Sequence, residues 1–274
     1  MQAFEPVKRL QEVSRVVELQ PLASGDSRYV DVSSGRSTLD LGMMRASLEN
    51  FDATQNRFAK FTFTGHRGCG KSTELLRLED DLAGCFTTLH FFATEDEIIG
   101  DYDYAELFLD LVDMLVRKFQ EDKIPLDERL AEDISTWFAE VTLGEVETVK
   151  KEIKLSTEAE LKAKYGLFWL SVGLLAKLKS TIAGSNERRR EIRHKLQRDP
   201  LELIRRFNLL LDNAHTALKK SGKPADLLIV VDNLDRAVSK VAQTLFFDSP
   251  NYPLTKIQRR RLAHACRPPA QHAL

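Results

Sequence analysis

The residues with the clearest chemistry are Gly65, His66, Arg67, Gly68, Cys69, Gly70, Lys71 and Ser72, followed by Thr73. Their order fits G-x-x-x-x-G-K-[ST], the Walker A spacing that lets a backbone loop curl around nucleotide phosphates. Gly65, Gly68 and Gly70 supply conformations closed to most residues and leave room for phosphate oxygens. Lys71 offers a mobile charge to the β- and γ-phosphates, and the Ser72 hydroxyl suits a Mg²⁺ ligand. Thr73 is expected to pack or hydrogen-bond near the α-phosphate. A chance glycine-rich turn is the bland alternative, and the flanking segments argue against it.

Those flanks are the elements that must position the loop. Phe61-Thr62-Phe63-Thr64 reads as a short buried strand. Behind the loop, Leu75, Leu78 and Leu82 recur at helical spacing. A second requirement is an acid at the end of a neighbouring strand. Leu227-Leu228-Ile229-Val230-Val231 has no polar alternation, as in a central parallel strand, and it ends in Asp232. Ligands bind outside the carboxyl ends of strands in open α/β sheets, so Asp232 is the expected Mg²⁺-associated carboxylate. Three residues on, Asp235 is a candidate base for activating water, or a partner for Arg236 in shaping the loop. The fold expected is therefore α/β, a P-loop NTPase three-layer α-β-α core with a large helical insertion.

The pair of motifs resembles the AAA+ and STAND branch of P-loop ATPases. Asp232, Leu234, Asp235 and Arg236 are similar to the second motif of KAP-type and related bacterial STAND-like NTPases. That resemblance implies ATP rather than GTP, a nucleotide-driven conformational switch and assembly into oligomers; the residues themselves make Lys71, Asp232 and Asp235 the candidate catalytic residues and Ser72 and Asp232 the candidate Mg²⁺ ligands. No Asn-Lys-x-Asp sequence for guanine recognition is present. Two departures are Asn233, which stands where many related ATPases carry a second acid, and the long separation of the motifs. An amide cannot accept a proton at neutral pH.

Residues 86–92 read as a further core strand, with His90 a hydrogen-bonded core histidine rather than a ligand. Residues 104–119 read as a helix with Leu107, Leu111, Met114 and Leu115 on one face. Segments 127–143, 145–164 and 186–220 read as a charged helical insertion. The organisation expected is an N-terminal strap (1–36, with a short helix over 7–19), a first core part (37–120, with a helix over 39–50), the insertion (121–221), a second core part (222–248) and an irregular basic tail (249–274). Only 241–247 is available for the additional strand that a complete core would need, so the tail reads as truncated or non-native.

Residues 166–176 are the most apolar stretch, bounded by Lys162, Lys164 and Lys177. A buried hairpin or helix–helix segment, a partner surface and an interfacial membrane segment all remain open, and the KAP-type resemblance implies membrane segments between the two motifs. Arg188, Arg189, Arg190, Arg193, Lys195 and Arg198 form a basic patch without interleaved aromatics. Pairing within the chain or with solvent is expected there, and contact with nucleic acid is the competing reading.

With 40 basic and 41 acidic residues the chain has a net charge of −1, which suits a soluble protein rather than a generic polyanion binder. Cys69, Cys85 and Cys266 give no disulfide framework, so a cytoplasmic location is expected. The function expected is Mg-dependent ATP hydrolysis driving a switch, with the insertion meeting a protein partner or a second copy. The alternatives are a non-hydrolytic binding module or fragment, and a DNA-associated ATPase.

Overall fold

Apolar residues at helical spacing dominate the middle of the chain, and they build helices there. The computed structural model describes residues 21–30, 41–50, 61, 63, 69–92, 104–143, 146–156 and 168–232. Two compact units divide the chain, Met1–Phe86 with Ala263–Leu274, and Thr87–Leu262.

In the first unit, α1 (Leu41–Glu49) contacts α2 (Lys71–Leu82). Leu48, Leu78 and Leu82 are buried, and Arg45 bridges to Glu49 (2.8 Å) and Asp81 (3.1 Å). Ahead of α1, residues 21–30 are irregular. They are held by Asp26, which accepts from the Arg28 backbone amide and guanidinium at 2.7–3.2 Å. Those Arg28 hydrogen bonds lower the Asp26 pKa to about 2.

The second unit contains β1 (Phe86–Phe92, whose first residue closes the first unit), α3 (Tyr104–Glu121), α4 (Glu128–Leu143), α5 (Val146–Ser156), α6 (Trp169–Gly184), α7 (Asn186–Leu196), α8 (Pro200–Lys220) and β2 (Asp226–Asp232). At the start of α8, Asp199 accepts from the Glu202 amide (3.0 Å), Pro200 fills the first turn, and Glu202 pairs with Arg205 and Arg206. Helix α6 is apolar on nearly every side, and such a helix must be buried. It contacts α3, α4, α5 and α7, with Val172, Leu174, Leu175 and Leu178 inside. From Trp169 to Ala176 the most apolar stretch thus lies in this packed helix, and residues 166–167 lie outside the described residues. Among the described residues, no helix is long and apolar enough to cross a membrane.

One core joins α3, α8 and the two strands: Phe108 meets Phe207 edge-on at 5.0 Å, Leu89 and Phe91 are buried in it, and Leu227, Ile229 and Val231 pack against it. β1 and β2 pair in parallel, and the Thr87 hydroxyl donates to Pro224 O (2.7 Å).

The expected three-layer α-β-α core is not what these residues build. Among the described residues helix makes up 70% and the sheet has two strands, so what is described of the second unit is a helical assembly carrying a strand pair. The cause lies in where the apolar side chains sit. Helices α3, α4, α6 and α8 supply most of the buried residues and pack on one another rather than covering two faces of a wide sheet. Of the strand expected at 61–64, only Phe61 and Phe63 are described. Phe61 and Phe63 are not in a strand, and Phe61 keeps 45% of its surface exposed. The strands expected at 86–92 and 227–231 do form. The expectations for 7–19, 241–247 and the tail lie outside the described residues.

Candidate functional site

The first unit contains the phosphate-loop residues that are described. Gly70 caps α2 with φ 85° and ψ 17°, a left-handed conformation that glycine adopts without a Cβ clash. The chain turns there directly into helix, and the Glu74 amide donates to Gly70 O (3.0 Å). Lys71, Ser72 and Thr73 therefore form the first turn of a 12-residue helix. First-turn amides have no intrahelical acceptor, and the helix dipole adds positive potential at the same end. All three side chains are half-buried, and Cys69 is exposed. Gly65, His66, Arg67 and Gly68 lie outside the described residues.

Contacts from residues 21–30 also reach this helix, and the sequence carries no signal for them. The Leu22 amide donates to Thr73 Oγ1 (3.1 Å), Ser24 Oγ donates to Asp80 (2.7 Å), and the Tyr29 hydroxyl donates to Glu74 Oε1 (3.0 Å). Arg77 lies over the Tyr29 ring at 3.9 Å and 3.5 Å from Glu74 Oε2.

Asp232 belongs to the second unit. It ends β2, as its sequence position predicts, and is 5% exposed. Parallel pairing of β1 with β2 places His90 Nε2 3.9 Å from Asp232 Oδ2, and the imidazole stacks on Phe92 at 3.8 Å. At that distance the two are charge neighbours if the ring is protonated, and not a direct hydrogen bond. Both residues were legible as strand residues, but their proximity depends on register and was not. Asn233, Asp235 and Arg236 lie outside the described residues. Among the described residues, no group of three or more His, Cys, Asp or Glu is placed to hold a metal ion.

Much of the basic patch is turned inward within the second unit. Arg193 donates to Glu106 Oε2 (2.9 Å), and Arg189 is 3.8 Å from the same carboxylate. Lys195 pairs with Glu191 (2.9 Å) and donates to Thr142 O (3.3 Å), while Arg188 pairs with Glu191 (3.1 Å). One turn apart on α3, Asp110 and Asp113 meet Lys179 of α6 at 2.8 and 3.5 Å. Arg188, Arg190 and Arg198 stay exposed. These pairings match the expectation that the patch is met within the chain, and they leave fewer cations for a polyanion.

Compared with known protein families, curated proteins and solved structures, the chain matches none.

Proposed function

We propose that the chain binds ATP with Mg²⁺ through residues 65–73 and hydrolyses it to ADP and phosphate as a conformational or assembly switch. The observation that carries this reading is the left-handed Gly70 leading straight into α2, with Lys71, Ser72 and Thr73 in the first turn. A loop and helix present amides to an anion without requiring a particular sheet behind them.

In this reading, the Ser72 and Thr73 amides and the Lys71 ammonium hold phosphate oxygens. The Ser72 hydroxyl fits the cation, because it sits in the first turn beside the phosphate position. Bound Mg²⁺ supplies neutralisation of the charge developing on the phosphates. Asp232 is the proposed metal-associated carboxylate and Asp235 the proposed base, both on their motif positions. Affinity to the AAA+ and STAND-like group belongs to the same proposal; a cytoplasmic location does not, because the expected lack of a disulfide behind it is overturned at Cys85, which is disulfide-bonded. Asn233 favours a second reading, binding without turnover, since its amide cannot take a proton from water.

Mg-ATP titration and phosphate release on one preparation test both readings. Lys71→Ala is expected to abolish or greatly weaken triphosphate binding, and retained affinity would remove the site. Asp232→Asn is expected to impair Mg²⁺-dependent binding or turnover more than Asp235→Asn, and the reverse order would reassign the metal carboxylate. Binding with no phosphate release selects the second reading.

A further inference from the structure

Thr73, Glu74, Arg77 and Asp80 lie along one side of α2 at helical spacing, and all four meet residues 22–29. Helical side chains tilt toward the N-terminus, so Thr73 and Glu74 lean toward the end of α2 at which an anion would sit. Their chemistry there is opposed. A hydroxyl that accepts the Leu22 amide keeps its own hydrogen to donate elsewhere, so the bond leaves Thr73 able to donate to a phosphate oxygen. Glu74 is an acid in the first turn and only 5% exposed, so its charge would repel the phosphates. The Tyr29 hydroxyl and the Arg77 guanidinium offset that charge, and Tyr29 also carries Arg77 on its ring.

On the reading of residues 65–73 as a nucleotide site, we infer that residues 21–30 are a nucleotide-coupled strap. Its docking on α2 orients Thr73 and masks Glu74, so strap docking and triphosphate binding strengthen each other. Tyr29 is a positioning residue in this scheme, acting through Glu74. Coupling of this kind is reciprocal: whatever factor the docked strap adds to nucleotide affinity, nucleotide adds to strap docking.

The test is Mg-ATP affinity for wild type, Tyr29→Phe, Glu74→Gln and the double variant. Alongside it, mass spectrometry follows the rate of tryptic cleavage after Arg28. Tyr29→Phe is expected to weaken binding about tenfold, the lower end of the scale for one hydrogen bond to a charged group. Glu74→Gln binds at least as tightly as wild type, and the double variant matches Glu74→Gln, because without the charge Tyr29 has nothing left to mask. In wild type, saturating Mg-ATP slows cleavage after Arg28, and in Tyr29→Phe that protection shrinks. A double variant as weak as Tyr29→Phe assigns the loss to general destabilisation and overturns the strap. Unchanged affinity in Tyr29→Phe, or no protection in wild type, overturns it equally. A wild type with no Mg-ATP affinity removes the nucleotide site, and the strap's role with it, whereas the other failures leave the site standing.

Discussion

Arg193→Met tests the helical assembly at its most charged point. Arg193 and Glu106 are 2.9 Å apart with side chains 11% and 8% exposed, so neither charge has much water to return to. Removing one member of a buried pair costs roughly 3–5 kcal/mol, because the other charge stays buried. Arg189, at 3.8 Å, keeps part of the attraction for Glu106 and places the expected loss near the lower end, about 3 kcal/mol. For a unit of this size that corresponds to a fall in Tm of about 6–12 °C. Both tryptophans, Trp137 and Trp169, belong to the second unit, so urea unfolding followed by their fluorescence reports on that unit. The midpoint should drop with an unchanged slope. Glu106→Gln combined with Arg193→Met should recover part of the loss, since the uncompensated carboxylate is gone but Arg189 loses its counter-charge. Arg188→Met is the control. Arg188 is exposed in its pair with Glu191 and should change stability by less than about 0.5 kcal/mol. If Arg193→Met costs no more than this control, the inward-turned patch is wrong.

Phe207→Ala removes a fully buried ring from its edge-on contact with Phe108 and should destabilise the second unit by about 3–5 kcal/mol in the same assay. Gly70→Ala places a Cβ on a left-handed residue at the mouth of the loop. It should cost about 1–2 kcal/mol in thermal unfolding of the first unit and weaken Mg-ATP binding by titration. The Glu202 pKa is lowered from 4.5 to about 2, chiefly by hydrogen bonding to Arg205 and then to Arg206. A depressed carboxylate contributes stability that is full above the unfolded value and lost as pH falls through the folded one, so the window is roughly pH 4.5 down to 2. Glu202→Gln should flatten stability in that window by about 1 kcal/mol, given the partial solvent screening of the cluster, as measured by urea midpoints at stepped pH.

The sequence revealed local features much better than it revealed pairings. The helix at Tyr104–Glu121 follows from the spacing of Leu107, Leu111 and Leu115, and β2 follows from an unbroken apolar run ending in Asp232. Residues 166–176 left several readings open because a helix apolar on nearly every side has little periodicity to read. Phe61-Thr62-Phe63-Thr64 has strand composition, but four residues give no information about a neighbouring strand, and strand propensity depends on that context. Glu106 and Arg193 are 87 positions apart, and no window along the chain connects them. The strap bonds were hidden for the same reason. Leu22 acts through its backbone amide, which the identity of the residue does not mark.

The strand pair also constrains the order in which the second unit is built. Thr87 and Pro224 are 137 positions apart, and closing so long a flexible loop costs about 4 kcal/mol in chain entropy. Two short strands cannot repay that alone, whereas α3 to α8 form from neighbouring residues and shorten the path once packed. Loop-closure entropy therefore disfavours pairing of β1 with β2 before the helices between them have packed. The carboxylate of Asp232 and the imidazole of His90, 3.9 Å apart across the strand pair, thus owe their proximity to that long-range closure and not to any local contact.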